Sequence, residues 1–425
     1  MRFHNRFLVT AAILTSAFGT VSASHAVDLS IVTGWEGRDL QILRANLAVY
    51  EDRTGNKVEI VPLPRYTNDQ FERYSLWLTA QNEEIDLYMT DSTWAPQLSE
   101  HFLDMTFAAE NVIPNHFPVT IESQTVDGKL LALPIYAEAT ALYYRKDLLE
   151  KHVAFVPASW SEMVDTARSI QEAERAGGNL EMVGFVFPGA LGEDLTATAL
   201  EWIKSHGGGQ IVEPDGTISI NNTRAAEALK IALSWIGDIA PLAVLEYTEE
   251  DARKVWDAGN AVFFRASSDE FARSKAENAP LKDLFEMTSL PIGQGGSSPA
   301  ATLGGWNVAV SRYTPHPEEA TALALFLASS DVQEQRAIQQ GKLPTIVALY
   351  NDIDVTTQQP GIRRWKGILE NAVQLPAAAT KHNYNVVNSE FWTAVHNTLS
   401  ASGSAEENVT ILERRLKRVK GANWR

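Results

Sequence analysis

The sequence predicts an α/β fold with two lobes, and three features of its 425 residues support this. Strand and helix patterns alternate over the N-terminal third, which is typical of a parallel sheet covered by helices. The length allows two or three domains. No long Pro- or Ser-rich linker separates them, so we expect two lobes that exchange chain segments through short strands.

Hydrophobic spacing predicts each element of the first third. Alternating apolar residues indicate a strand in VDLSIVT, and the spacing of Leu40, Leu43, Leu47 and Tyr50 indicates a helix that ends at Gly55. A strand in KVEIVPLP, a helix in TNDQFERYSLWLTAQNEEID and a buried strand in DLYMTD follow in that order. This order predicts a parallel sheet.

The order of elements changes after Glu138, which interrupts the apolar strand LALPIYA. Ser159 and Glu162 form a capping box, which predicts the start of a helix. A strand, loop and strand are predicted over 288–311. Further strands are predicted in GFVFPG and NAVFFR, and further helices in EDLTATALEWIKSHGGG, TRAAEALKIALSWIGDI, EEDARKVWDAG, PEEATALALFLAS, DVQEQRAIQQG and ENVTILERRLKRV.

The N-terminal residues predict export from the cytoplasm. Arg2 and Arg6 precede an apolar run, and small residues then offer cleavage after Ala23 or Ala26, which is the order found in signal peptides. A membrane anchor is the alternative, although the run is short and interrupted for a permanent span. Without any cysteine we expect neither disulfides nor a lipid anchor, and we expect the mature protein in the periplasm.

The formal net charge of −17 disfavours nucleic acids and anionic membranes as partners.

Motifs of the common enzyme classes are missing from the sequence. There is no dinucleotide fingerprint, P-loop, nucleophile elbow or H-E-x-x-H motif. The histidines share no ligand spacing, so we expect neither a metal nor a cofactor. One enzymatic alternative stays open, because Asp91 and Glu138 are candidates for the two carboxylates of a glycoside hydrolase.

Aromatic and acidic residues recur where the predicted strands end. Ligands of open α/β sheets bind beyond the carboxyl ends of strands. A sugar needs rings against its apolar faces and carboxylates for its hydroxyls. The residues in question are Trp35, Glu36, Asp91, Trp94, Tyr136, Glu138, Gly304, Gly305 and Trp306, with Trp392 in a late helix.

Structural roles are the alternatives for several of these residues. Trp94 is as well explained by packing under the first lobe. For Glu138 the less favoured alternative is a structural ion pair with Lys146 or Arg145. Four tryptophans with helical neighbours are expected to be packing residues. These are Trp160, Trp202, Trp235 and Trp256.

Seven segments of the chain, taken in order, resemble one family. They are TGWEG, IDLYMTDSTWAP, LALPIYAEATALYYRKDLLEK, VPASWSEM, GNAVFFR, TLGGWNVAV and KLPTIVALYND. Together they resemble the extracellular solute-binding proteins of family 1, which serve ABC importers for carbohydrates. The trehalose/maltose-binding branch is the most similar in style, and the resemblance covers essentially the whole chain after the signal.

The resemblance implies a type II-like periplasmic binding protein with two hinge-connected lobes and the ligand in the cleft between them. One lobe would take 27–137 and 290–343 and the other 138–289 and 344–425, after a signal peptide at 1–26. The chain would cross between the lobes near 137–141, 287–291 and 341–346. A monomer that delivers a carbohydrate to ABC permease subunits is implied.

The resemblance also implies roles for the residues at the strand ends. Glu36, Asp91 and Glu138 would hold sugar hydroxyls, with Tyr136 beside them. Trp306 would stack on a sugar face, and Gly304 and Gly305 would let the sugar approach closely. Arg65 would reach the same cleft.

Two departures from the family pattern concern this site. Ser267 stands where related proteins resemble R-N-W-P-Y, so a stacking tryptophan is missing, and Leu375 stands where an arginine precedes a proline. Trp392 or Phe187 would then supply the wall, and Ser267 and Asp269 polar contacts. The ligand expected is a disaccharide or related glucoside of the trehalose, maltose or sucrose kind, with a polyol or substituted sugar as the alternative. A chemosensory ligand carrier is a further alternative to transport.

Overall fold

The computed structural model of the protein describes residues 26–424, so the predicted signal peptide lies outside the described residues except for Ala26. The strands are β1 (Asp28–Thr33), β2 (Lys57–Pro62), β3 (Leu87–Asp91), β4 (Thr125–Val126), β5 (Lys129–Leu130), β6 (Ala132–Glu138), β7 (Thr140–Arg145), β8 (Val183–Val186), β9 (Ala261–Ser267), β10 (Phe285–Thr288), β11 (Ala301–Thr302), β12 (Gly304–Val310) and β13 (Ala372–Val373). The helices are α1 (Gly37–Thr54), α2 (Thr67–Thr79), α3 (Trp94–Gln97), α4 (Pro118–Glu122), α5 (Lys146–Lys151), α6 (Trp160–Ala176), α7 (Glu193–Ser205), α8 (Thr223–Trp235), α9 (Glu249–Asp257), α10 (Asp269–Ser274), α11 (Pro317–Leu327), α12 (Ser330–Gln340), α13 (Ile353–Gln358), α14 (Ile362–Glu370), α15 (Ala377–Thr380), α16 (Tyr384–Leu399) and α17 (Ala405–Lys420).

The first lobe is built on a sheet of five strands in the order β2-β1-β3-β12-β6. β1 pairs in parallel with β2 and with β3, because α1 and α2 each carry the chain back across the sheet. β12 comes from much later in the chain and pairs antiparallel with both β3 and β6. The predicted α/β fold is confirmed.

The second lobe is built on a four-stranded sheet in the order β10-β7-β9-β8. β9 is buried along six of its seven residues, as expected for a central strand covered on both faces. A large apolar core lies against this sheet. Trp160, Trp202 and Trp235 meet in it, with ring centroids 5.3 and 5.4 Å from Trp235, so the expected packing role of these tryptophans is confirmed.

The chain first passes from one sheet to the other at Ala139, between the end of β6 and the start of β7. The second passage lies at Leu303, later than the expected 287–291. Ile292 bridges to Ser159, and β11 pairs with β13, so this segment stays with the second lobe until β12 begins. A two-residue strand leaves no spacing signal in the sequence. We propose that the first lobe resumes at Gly304 rather than at 290.

The third passage follows α12. Leu343 forms a bridge with Ala137, and the backbone N–H of Phe117 donates to the carbonyl oxygen of Thr345. Tyr350 then packs edge-on against Phe117 at 5.4 Å between ring centroids. This segment is therefore attached to the first lobe by hydrogen bonds before it enters the core that both lobes share.

Between residues 26 and 424 no helix has the combination of length and apolar character that crossing a membrane requires.

Gly305 is the position in β12 where a side chain is least tolerated. Its φ of +123° is rarely adopted by residues with a Cβ, and an added Cβ would overlap the carbonyl oxygen of Tyr136. We expect Gly305→Ala to lower the free energy of unfolding by roughly 1–3 kcal/mol, measured by urea denaturation.

Gly304→Ala is the matched control, because its Cβ would lie at an ordinary 3.4 Å from the Cβ of Glu138. Equal stability losses in the two variants would contradict the role given to the backbone of Gly305.

Candidate functional site

A cavity of about 190 Å³ lies between the two lobes, at the first and second passages of the chain. Five of the residues that the sequence predicts for the site line it. They are Asp91, Glu138, Ser267, Gly304 and Gly305. The remaining predicted residues are not among those that line the cavity.

The first wall of the cavity is set by strand register. Trp306 of β12 lies opposite Asp91 of β3 on one side and Tyr136 of β6 on the other. Directly opposed residues share a face of a sheet, so these three side chains lie side by side. Two residues along, Gly304 lies opposite Glu138, and its lack of a side chain leaves the carboxylate of Glu138 uncovered on that side.

Asp91 is the last residue of β3, and the turn that follows holds its side chain. Its Oδ1 accepts hydrogen bonds from the backbone N–H of Thr93 at 2.9 Å and from the hydroxyl of Thr93 at 3.0 Å. Burial in the cleft raises the pKa of Asp91, although these hydrogen bonds oppose that change. The carboxylate is therefore oriented by its own turn.

Glu138 is paired, but with a residue that the sequence did not suggest. The Nζ of Lys342 lies 3.3 Å from Oε1 of Glu138 and 2.6 Å from Oδ2 of Asp269. The structural alternative for Glu138, an ion pair with Lys146 or Arg145, is wrong; Arg145 instead binds Asp147 at 2.6 Å. Burial and the charge of Asp269 raise the pKa of Glu138, and Lys342 opposes them.

The second wall comes from the N-terminal ends of α7 and α9, with Glu193, Asp194 and Glu249. The hydroxyl of Tyr384 and the amide of Asn388 each donate to Oε2 of Glu193 at 2.8 Å. Enclosure by the protein and the charge of Asp91 raise the pKa of Glu193, whereas these hydrogen bonds lower it. Oε1 of Glu249 accepts the backbone N–H of Ser267 at 3.0 Å.

Arg265 also lines this wall, but its guanidinium is engaged in a buried ion pair. It donates from Nε and Nη2 to the two oxygens of Glu201, at 2.9 and 2.7 Å. Oε1 of Glu201 further accepts the hydroxyl of Thr140 at 2.6 Å and the backbone N–H of Thr302 at 3.1 Å. The pair joins the passages at Ala139 and Leu303 and so fixes the base of the cavity.

Aromatic rings and two cations form a cluster beside the cavity on the first lobe. The ring of Trp35 lies 6.0 Å from Tyr136 and 5.6 Å from Trp306. Arg336 and Lys342 lie over Trp35 and Tyr136 at 4.7 and 4.6 Å from the ring centroids. The packing alternative for Trp94 is supported, since its ring is 6% exposed.

Other predicted residues do not line the cavity. Glu36 and Arg65 are exposed on loops of the first lobe, and Trp392 is partly buried against the core of the second lobe. Phe187 is fully buried in that core and does not supply the missing wall. Leu375 does line the cavity, so an apolar side chain stands where the family pattern has an arginine.

The residues that sequence reasoning missed come from distant parts of the chain. Lys342, Glu193 and Glu249 have no aromatic neighbour at a strand end. The acidic pair Glu193–Asp194, directly before an apolar helix pattern, was the available signal for the second wall, because acids favour helix N-termini. Lys342 carried no such signal.

One group of three carboxylates in the described part of the chain has a spacing that suits a cation. Oxygens of Glu334, Asp352 and Asp354 lie within 4.8 Å of one another. The group lies outside the cavity and is partly exposed. Acidic surface groups of this kind are common without an ion, so we assign it no role.

Comparison with known proteins gives one family and several similar chains. The model of the bacterial extracellular solute-binding proteins matches residues 34–334. A probable ABC transporter-binding protein of Deinococcus radiodurans is 38% identical over 415 residues, which cover 97% of this chain and 98% of that protein.

Solved structures are similar over nearly the full length. The maltose-bound MalE3 of T. maritima is 30% identical, has a TM-score of 0.80, and matches 93% of this chain and 100% of its own. A ribitol-bound solute-binding protein of Agrobacterium radiobacter is 19% identical with a TM-score of 0.72, and matches 93% and 99% of the two chains. The second comparison supports the fold alone.

The buried ion pair at the base of the cavity predicts a large stability effect. Glu201→Gln leaves Arg265 buried without its counter-charge, and we expect the free energy of unfolding to fall by roughly 3–5 kcal/mol. Chemical denaturation monitored by circular dichroism measures this. The control is Asp165→Asn, whose carboxylate is 75% exposed and pairs with Arg168 at 3.4 Å, for which we expect a change below about 1 kcal/mol. A similarly small effect of Glu201→Gln would contradict the structural role of the pair.

Proposed function

The chain belongs to the family of bacterial extracellular solute-binding proteins, and from this we propose that it is the carbohydrate-binding component of an ABC importer. Members of this family bind solutes and do not transform them, so the chain is not an enzyme. The glycoside-hydrolase alternative for Asp91 and Glu138 is therefore wrong. In this proposal both carboxylates are hydrogen-bond acceptors for a ligand.

The cavity between the lobes is the observation that carries the proposal. Its walls present carboxylates from both lobes, with Asp91 and Glu138 on one side and Glu193 and Glu249 on the other. Ionised carboxylates only accept hydrogen bonds, and a sugar or polyol offers a rim of donors. Trp306 lies opposite Asp91 in the sheet, next to the residues that line the cavity but not among them, and would cover the C–H face of a sugar ring that extends beyond it.

The size of the ligand follows from the size of the cavity. Its volume of about 190 Å³ is below the roughly 300–1,000 Å³ of pockets for drug-sized ligands. This favours a polyol or a ligand of one or two rings, in keeping with the maltose bound to the similar structure from T. maritima. We propose a disaccharide or related glucoside of the trehalose, maltose or sucrose kind first, and a polyol or substituted sugar second.

The proposed mechanism is closure of the two lobes around the ligand. A ligand that touches both walls has a higher affinity for the closed state, and this difference shifts the equilibrium toward closure. The closed form of a monomer in the periplasm would then be recognised by ABC permease subunits in the inner membrane.

A thermal-shift panel of disaccharides, glucosides and polyols tests this function. We expect a concentration-dependent rise of Tm with at least one compound and no product formed from it. A panel in which no compound raises Tm would count against carbohydrate binding.

Glu138 gives the most direct test of the site. Glu138→Ala removes an acceptor from the cavity, and we expect the Kd for the ligand found in the panel to rise at least tenfold, measured by isothermal titration calorimetry. The control is Glu277→Ala, which removes an exposed acid outside the cavity and should leave the Kd unchanged. Unchanged affinity in Glu138→Ala, with the fold intact by circular dichroism, would remove Glu138 from the site.

A further inference from the structure

The charges that line the cavity are strongly unbalanced. Its lining includes one cationic side chain, that of Arg265. Five carboxylates line the same cavity: Asp91, Glu138, Glu193, Asp194 and Glu249. A ligand that enters this space is therefore surrounded by acidic side chains from both lobes.

The cations nearest the cavity offset little of this charge. Arg336 is 1% exposed and lies over the ring of Trp35, outside the residues that line the cavity. Arg265 is 2% exposed and is held by both oxygens of Glu201, so its charge is matched by a further acid. Lys342 lies 2.6 Å from Asp269, which leaves Glu138 as its second and more distant partner at 3.3 Å. Counting these partners with the lining residues, acids still outnumber cations by a wide margin.

The carboxylates are close enough to disfavour one another's ionisation. The charge of Asp91, on the first lobe, contributes to the raised pKa of both Glu138 and Glu193. The N-terminus of α7 favours the ionised forms of Glu193 and Asp194, because the helix dipole is positive there. Burial and the neighbouring acids bring the pKa of Glu138 to about 7 and that of Glu193 to about 8, so closure around a neutral sugar favours their protonated forms, whereas a cation between them favours the ionised forms.

An independent observation concerns hydrogen bonding at the same place. Asn388 is 3% exposed, and its Nδ2 donates to Glu193. Its Oδ1 is buried without a hydrogen-bond partner in the described structure. Asn388 is not among the residues that line the cavity, so Glu193, which does line it, is the group at this corner that a donor from the ligand would reach.

We propose that the ligand is an amino-substituted sugar or polyol whose ammonium group binds between Asp91 of the first lobe and Glu193 of the second. An ammonium supplies three donors and one positive charge, whereas a hydroxyl supplies a single donor and no charge. Its hydroxyls bind the remaining carboxylates. This inference rests on the proposed carbohydrate-binding function and specifies the chemical class of its ligand.

Matched pairs of ligands test the inference. The pairs are glucose and glucosamine, trehalose and trehalosamine, and sorbitol and 1-amino-1-deoxysorbitol. N-acetylglucosamine serves as a neutral ligand with a substituent at the same carbon as glucosamine. Isothermal titration calorimetry at pH 7 gives Kd for each compound at low and at high salt.

We expect at least one amine to bind ten times or more tightly than its neutral counterpart, and N-acetylglucosamine to lack any such gain. The advantage should shrink at high salt, because the ammonium–carboxylate attraction is screened. Neutral compounds that bind as tightly as their amines would overturn this inference while supporting carbohydrate binding. Failure of every compound in both series would overturn both proposals.

Two variants locate the charge effect. Glu193→Gln should weaken binding of the amine at least tenfold more than binding of its neutral counterpart. Glu249→Gln should also weaken binding of the amine more than that of the neutral ligand, but by a smaller factor. Glu277→Gln is the control for removing an exposed acid outside the cavity. Equal losses for amine and neutral ligand in both folded cavity variants would overturn the ammonium assignment.

Discussion

The arrangement of the two lobes depends on the contacts that the ammonium group of Lys342 makes with both of them. Lys342 lies in the third passage of the chain, binds Glu138 at the end of the first-lobe strand and Asp269 on the second lobe, and lies over the ring of Tyr136. Its side chain is only 11% exposed, so its charge needs these partners. One side chain thus joins the lobes beside the cavity, and it also determines how Glu138 faces a ligand.

The buried ion pair between Arg265 and Glu201 keeps the cation of Arg265 from binding a ligand. Because Arg265 is fixed to Glu201, its positive charge serves to hold the passages at Ala139 and Leu303 together. Leu375 adds no charge where the family pattern has an arginine. Among the described residues that line the cavity, Arg265 is the one cation, so we expect the cleft to disfavour a phosphorylated or carboxylated ligand.

The sequence predicted the elements with strong periodicity and the residues that lie at strand ends. Asp91, Glu138 and the glycines at 304 and 305 reach the cavity because β3 and β6 end, and β12 begins, at the same edge of one sheet. Glu193 and Lys342 were missed, because their positions depend on how α7 and the third passage pack, which leaves no local pattern. Arg65 was assigned to the cleft by resemblance and Trp392 by its position in a late helix. Neither lines the cavity, because Arg65 is exposed on a loop and Trp392 packs against the core of the second lobe.

In the proposed mechanism the ligand supplies the free energy that favours closure, and the ion pair between Lys381 and Asp127 adds little to it. Lys381 reaches Asp127 across the rim at 2.7 Å, but the Asp127 side chain is 72% exposed. Such pairs contribute about 0–1 kcal/mol. Converting a mainly open population into a mainly closed one takes about 5.5 kcal/mol of differential binding. In the proposed mechanism, contacts with carboxylates on both walls are the source of that difference, because Asp91 and Glu193 belong to different lobes and line the same cavity.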